Sequence, residues 1–227
     1  MVALDRSGRD EILALADALH GTGAMLKVGL QAFVSNGPSI VQELTGRGER
    51  VFLDLKFHDI PNTASHAVEA ALRLGVSIVN VHAAGGPAML EACAAAVKNA
   101  ERRTILLGVT LLTSLGEKDL SAIGVETAAE GQVVRLARLC HACGVDGVVA
   151  SPHEIAAVRE ACGEGFVILT PGIRGAGDQQ GDQKRTLTAG EAIARGADYI
   201  VVGRPVTGAP NPREAAMRII AEIERAR

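Results

Sequence analysis

Residues 50–82 read RVFLDLKFHDIPNTASHAVEAALRLGVSIVNVH. An apolar, β-prone run covers Arg50 to Lys56, and its side chains alternate with period two, so Asp54 and Lys56 share one face while Leu53 and Leu55 take the other. Pro61 terminates the loop that follows. Asn62 to Leu74 then places Ala64, Ala67, Val68, Ala71 and Leu72 on one stripe of a helix, and Gly75 stops it. A second β-prone run, Ser77 to His82, closes the unit. Strand, helix and strand over so short a span describe a parallel βαβ unit, in which strands are covered on both faces and read as nearly continuous apolar runs.

The same alternation extends in both directions. Further runs lie at Val2 to Asp5, Ala24 to Gly29, Thr104 to Thr110, Gly147 to Ser151, Phe166 to Thr170 and Tyr199 to Gly203, with helical patterns between them. The last helix has Asn211 to cap its free amides, Pro212 for its first turn, and an apolar stripe of Ala216, Ile219, Ile220 and Ile223. Eight strand-helix units of about 28 residues each predict an α/β fold, a (β/α)8 TIM barrel with 1–227 as a single domain. A doubly wound sheet of this length usually has fewer strands.

Composition narrows the function. The 227 residues are 48% hydrophobic and carry a net charge of −3 with no dense basic run, so a sequence-independent grip on nucleic acid is not expected. No apolar stretch approaches a bilayer span, and Asp5, Arg6, Arg9 and Asp10 interrupt the place of a signal peptide, which predicts no membrane partner and a cytoplasmic protein. Cys93, Cys140, Cys143 and Cys162 could form two disulfides, but reduced core thiols are expected; Cys140-His-Ala-Cys143 has no second pair for zinc and sits on an amphipathic helix.

The predicted strands end in groups that resist burial: Asp5, Lys27, Asp54, Lys56, His82, Ser151 and Arg204. Reacting groups of barrel enzymes sit at that end. A lone Asp54-Leu-Lys56 reads equally well as a salt bridge, but Lys27 interrupts another apolar run and needs carboxylates nearby. Two lysines with Asp54 and Asp59 would be nearly neutral together. Late in the chain, Thr170-Pro-Gly-Ile-Arg174 and Val202-Gly203-Arg204-Pro205 fall after the seventh and eighth runs, where barrels bind phosphate; Gly203 permits close approach and the two arginines supply guanidinium forks. The connection from Arg174 to Ala189 is long and points to a mobile lid. Asn80 and His82 share the inward face of the fourth run, either as core filler or as partners of the lysines, with core filler preferred for His82. Gly21-Thr-Gly23 and Gly175-Ala-Gly177 fit no nucleotide-binding motif, and neither HExxH nor GxSxG occurs.

Leu53-Asp-Leu-Lys-Phe-His-Asp-Ile-Pro-Asn-Thr63 resembles the signature of the orotidine 5'-monophosphate decarboxylase family, bacterial type, and the likeness runs the length of the chain. It includes Ala3-Leu-Asp5, Lys27-Val-Gly29, Asn80-Val-His82, Val109-Thr-Leu-Leu-Thr-Ser114, Thr170-Pro-Gly-Ile-Arg174, Gly181-Asp-Gln-Lys-Arg185 and Val202-Gly-Arg-Pro205. The resemblance implies a metal-free and cofactor-free decarboxylation of orotidine 5'-monophosphate to UMP. Lys56, Asp54, Lys27 and Asp59 would be catalytic. Asp5 and Lys27 would hold the ribose, Thr113 would lie near the pyrimidine, and Arg174, Gln183, Gly203 and Arg204 would hold the phosphate. Asp59, Ile60 and Thr63 would reach into a neighbouring subunit's site, making a homodimer. Magnesium-using 3-keto-gulonate-6-phosphate decarboxylases and hexulose-phosphate synthases share a DxKxxD strand, but His58-Asp-Ile-Pro-Asn-Thr63 and Thr170 to Arg174 set this chain apart. A catalytically silent phosphate sensor would not need so demanding a set of charges.

Overall fold

The computed structural model describes residues 1–173 and 187–226. Eight parallel strands follow one another in spatial order: β1 (Val2–Ala3), β2 (Leu26–Gly29), β3 (Val51–Phe57), β4 (Ile78–His82), β5 (Ile105–Val109), β6 (Gly147–Val149), β7 (Val167–Thr170) and β8 (Tyr199–Ile200). A parallel bridge between Val2 and Val202 joins the ends, with Ala3 donating its amide to the Val202 carbonyl at 2.9 Å. The predicted (β/α)8 barrel is therefore the observed fold, and all eight expected strands are present.

The helices carry the expected local causes. Helix Pro61–Leu72 buries Ala64, Val68 and Ala71, and Gly75 beyond it has φ of 75°, a left-handed conformation that glycine takes without penalty. Helix Pro212–Ala226 starts with Pro212 in its first turn while Asn211 Oδ1 accepts the Glu214 amide at 3.2 Å. The outer faces of the strands pack with these helices into one apolar layer. No helix among the described residues is long and apolar enough to cross a membrane.

Inside the barrel a separate layer is built from Ala3, Met25, Phe52, Ile78, Leu107, Leu169 and Val201. The period-two rule then decides what stands above it, because the residue two positions further along each strand points the same way. Those positions hold Asp5, Lys27, Asp54, Asn80, Val109, Pro171 and Gly203. The barrel is thus filled below by an apolar plug and opens above onto polar groups. Phe52, 1% exposed, is the largest plug residue, and its burial alone contributes about 2–3 kcal/mol.

The strands are shorter than the expected runs at their upper ends: β1 stops before Asp5, β6 before Ser151 and β8 before Gly203. The chain leaves the ladder where the barrel wall gives way to loops. All four cysteines are free and buried, as read from their setting; burial pushes the Cys93 thiol up to about 11 and, with Cys143 and Cys162 nearby, the Cys140 thiol up to about 12.

Candidate active site

A cavity of about 290 Å³ lies above the plug, lined among others by Asp5, Lys27, Asp54, Lys56, Thr113 and Arg204. At its centre is a chain of alternating charges. Lys27 Nζ, on β2, donates to Asp5 Oδ1 at 3.1 Å and lies 3.5 Å from Asp54 Oδ2. Lys56 Nζ, on β3, donates to Asp54 Oδ1 at 2.6 Å. Lys27 is only 8% exposed, so its ammonium is tolerable because two carboxylates replace water around it.

Asp54 sits where opposing electrostatic effects meet. Burial would push its carboxyl up, but the ammonium of Lys27, that of Lys56, and hydrogen bonds from Lys56 and Asn80 outweigh burial and hold it below the ordinary carboxylate value. The site therefore keeps an ionised Asp54 between two cations. Gly29 closes one side tightly, since a Cβ there would stand 2.9 Å from Lys27 Nζ and 3.2 Å from Asp5 Oδ1.

The rest of the wall is less charged. Val109, Leu111, Leu112, Val149, Ala150, Leu169, Pro171 and Gly172 make an apolar side, and Thr113 adds a hydroxyl at its edge. Gly203 and Arg204 stand over Asp5 and Ala3, where they also border a shallower depression with Arg6 and Thr207. Arg174 and Gln183, expected at the phosphate end, lie outside the described residues, as does most of the expected lid from Arg174 to Ala189.

Asp59, Ile60 and Thr63 are not brought to this chain's own cavity. They lie exposed on the loop after β3 and the start of helix Pro61–Leu72, with Asp59 Oδ1 accepting the Ile60 amide at 2.7 Å and Ile60 67% exposed. Asn80, left open between filler and partner, is a partner: fully buried, it bonds both Asp54 and the Lys56 backbone. His82 is half-buried, its ring 5.3 Å from that of His58, so it packs against the residue that follows β3 and not in a closed core. Burial, then His58 and Lys56, lower its pKa. His58 had no assigned role in the sequence; its place two residues after Lys56 was the available signal.

A model of the family described as "Orotidine 5'-phosphate decarboxylase / HUMPS family" matches residues 1–219. A Moorella thermoacetica protein named orotidine 5'-phosphate decarboxylase is 51% identical over 230 positions, covering 99% of this chain and 91% of its own. One of the same name from Chromohalobacter salexigens is 48% identical, covering 99% and 94%. Among solved structures, the orotidine 5'-phosphate decarboxylase of Lactobacillus acidophilus superposes with a TM-score of 0.88 at 33% identity, covering 98% of this chain and 97% of its own. On the match of its family model and of these relatives, the chain belongs to the orotidine 5'-phosphate decarboxylase / HUMPS family.

Proposed function

We propose that this chain decarboxylates orotidine 5'-monophosphate to UMP and CO2, the last step of de novo UMP synthesis, without metal or cofactor. The observation that carries this reading is Asp54 held ionised between the ammoniums of Lys27 and Lys56 at the floor of the cavity. When the C6–carboxylate bond breaks, its electron pair stays on C6, where no adjacent carbonyl absorbs it well. A cation fixed beside C6 stabilises that developing charge, and Lys56 supplies it. Lys56 then gives its proton to C6 and regains one from solvent. Asp54 faces the departing carboxylate, a repulsion relieved as CO2 forms.

Asp5 and Lys27 bind the ribose in this reading, Thr113 borders the pyrimidine, and Arg204 and Gly203 hold the phosphate together with Arg174 and Gln183. The phosphate lies far from the bond that breaks, yet its binding energy holds the pyrimidine over Lys56. Metal independence is supported by the surroundings of Asp54: Oδ1 accepts from Lys56 and Asn80, and Oδ2 faces Lys27, which makes Asp54 a poor oxygen ligand for a divalent cation beside two ammoniums.

The active form is a homodimer in which Asp59, Ile60 and Thr63 complete the partner's site, in the cytoplasm and with neither nucleic acid nor membrane as partner. Support comes from the exposure of that loop and of Val34 and Leu30, 78% and 54% exposed, near an apolar groove lined by Phe33, Pro38, Leu55 and Phe57. Mixing Lys56→Ala with Asp59→Ala subunits should then restore about a quarter of wild-type activity through sites that are whole in the mixed dimer.

The direct test follows ultraviolet absorbance of orotidine monophosphate mixed with chelator-treated protein. Conversion is expected, with Lys56→Ala silent and Arg204→Ala strongly reduced in kcat/KM. Magnesium dependence, or turnover by Lys56→Ala, would overturn the reading.

A further inference from the structure

Strands β3 and β4 lose their register in the middle of the site. Between the paired positions Leu53↔Val79 and Phe57↔Val81, β3 carries Asp54, Leu55 and Lys56 while β4 carries only Asn80. A bulge of this kind leaves backbone groups without ladder partners. It also bends Lys56 to φ of 53°, the one positive φ at a non-glycine residue among the described residues. Left-handed backbone is unfavourable for lysine and persists only where its surroundings over-determine it.

Asn80 supplies what the bulge removes. Its Oδ1 accepts the Lys56 backbone N–H at 2.8 Å, and its Nδ2 donates to Asp54 Oδ1 at 2.8 Å, the same oxygen that accepts from Lys56 Nζ. The amide's orientation follows from its partners, because the flipped amide would set donor against donor and acceptor against acceptor. The side chain is 0% exposed, so no water stands in for either bond.

We infer that Asn80 is a positioning residue for the decarboxylation: one amide locks Lys56 into its left-handed bulge and turns Asp54 so that carboxylate and amine meet at a fixed point. This rests on the decarboxylase reading above. No smaller or apolar residue does both tasks. Alanine orphans the Lys56 amide, and an ionised aspartate would set a second carboxylate against Asp54.

The test compares wild type with Asn80→Ala and Asn80→Asp. In N80A, kcat should fall about 100-fold, with KM changing less than about threefold because Gly203 and Arg204 are untouched. The acid limb of kcat/KM should move to higher pH, since Asp54 loses a donor that favours its ionised form. The Lys56 amide should exchange with solvent faster, a reading independent of activity. In N80D a protonated carboxyl can make both bonds, so activity relative to wild type should rise as pH falls; this variant carries the test if N80A does not fold. Near-normal kcat in N80A, a loss that follows Tm alone with an unshifted pH profile, or a flat N80D ratio would overturn the assignment. Failure of the wild type to convert orotidine monophosphate would strike the decarboxylase reading alone, because Lys56 amide exchange still decides whether Asn80 holds the bulge.

Discussion

Replacing Lys27 with methionine removes the cation shared by Asp5 and Asp54 while keeping most of the side chain's volume. The Lys27 and Asp54 side chains are 10% and 13% exposed and 3.5 Å apart, so solvent screens them little. At an effective dielectric constant near 20, their attraction is about 5 kcal/mol. Part of this is returned because the variant no longer buries an ammonium, and a net loss of about 3 kcal/mol is expected. A double-mutant cycle with Asp54→Asn isolates the pair and should give a coupling of about 2–3 kcal/mol near neutral pH. The pH sign follows from Asp54, whose carboxyl is held below its ordinary value of 3.8. Its contribution is present above that ordinary value and is lost as pH falls through the lowered one. Without Lys27, the largest charge holding it down, the carboxyl moves up and takes a proton sooner on acidification. Urea unfolding at fixed protein concentration, followed by far-ultraviolet circular dichroism because the chain has no tryptophan, measures each corner of the cycle. A coupling below about 0.5 kcal/mol, typical of an exposed pair, would show that solvent screens Lys27 from Asp54 after all.

Two further substitutions probe the barrel wall and the His58–His82 contact. A Cβ on Gly147 would meet the Val167 carbonyl oxygen at 2.1 Å and Val167 Cβ at 2.5 Å, where β6 and β7 pair, so Gly147→Ala should cost about 3 kcal/mol, roughly 6–12 °C in Tm. A melt within about 2 °C of wild type would show that the strands yield more easily than close packing allows. His82, whose pKa is lowered by burial and by His58 and Lys56, takes up its proton more readily in the unfolded chain. Stability should therefore fall as pH drops below His82's ordinary value of 6.5, and His82→Asn should flatten that slope; an unchanged slope in urea titrations would exclude the effect.

Much of this was legible in the sequence because barrel strands state their burial openly. Runs such as Thr104 to Thr110 carry no charge, and a charge inside one, as at Lys27, must be answered by another charge. The period-two rule also placed Asp54 and Lys56 together. It did not reveal the bulge, which arises from pairing with β4 and shifts Lys56 into a left-handed conformation that no local pattern at Leu55-Lys56-Phe57 announces. The role of Asn80 was hidden for the same reason: a buried amide reads alike whether it fills space or replaces a lost ladder bond. His82 looked like filler because its contact is with His58, on a loop whose path is set by the neighbouring strand. The upper strand ends were overestimated, since β-prone residues continue past the point where the barrel opens. Asp59, Ile60 and Thr63 lie exposed in a single chain, and their assignment rests on family resemblance and on the dimer it implies.

In the proposed reaction the amine of Lys56 lies against the pyrimidine carbon that loses CO2. A crystal structure of the protein with bound UMP measures this directly. Lys56 Nζ is expected within about 3.5 Å of C6, still bonded to Asp54, with the phosphate at Arg204. A nucleotide seated in the cavity with that amine turned away from the ring would contradict it.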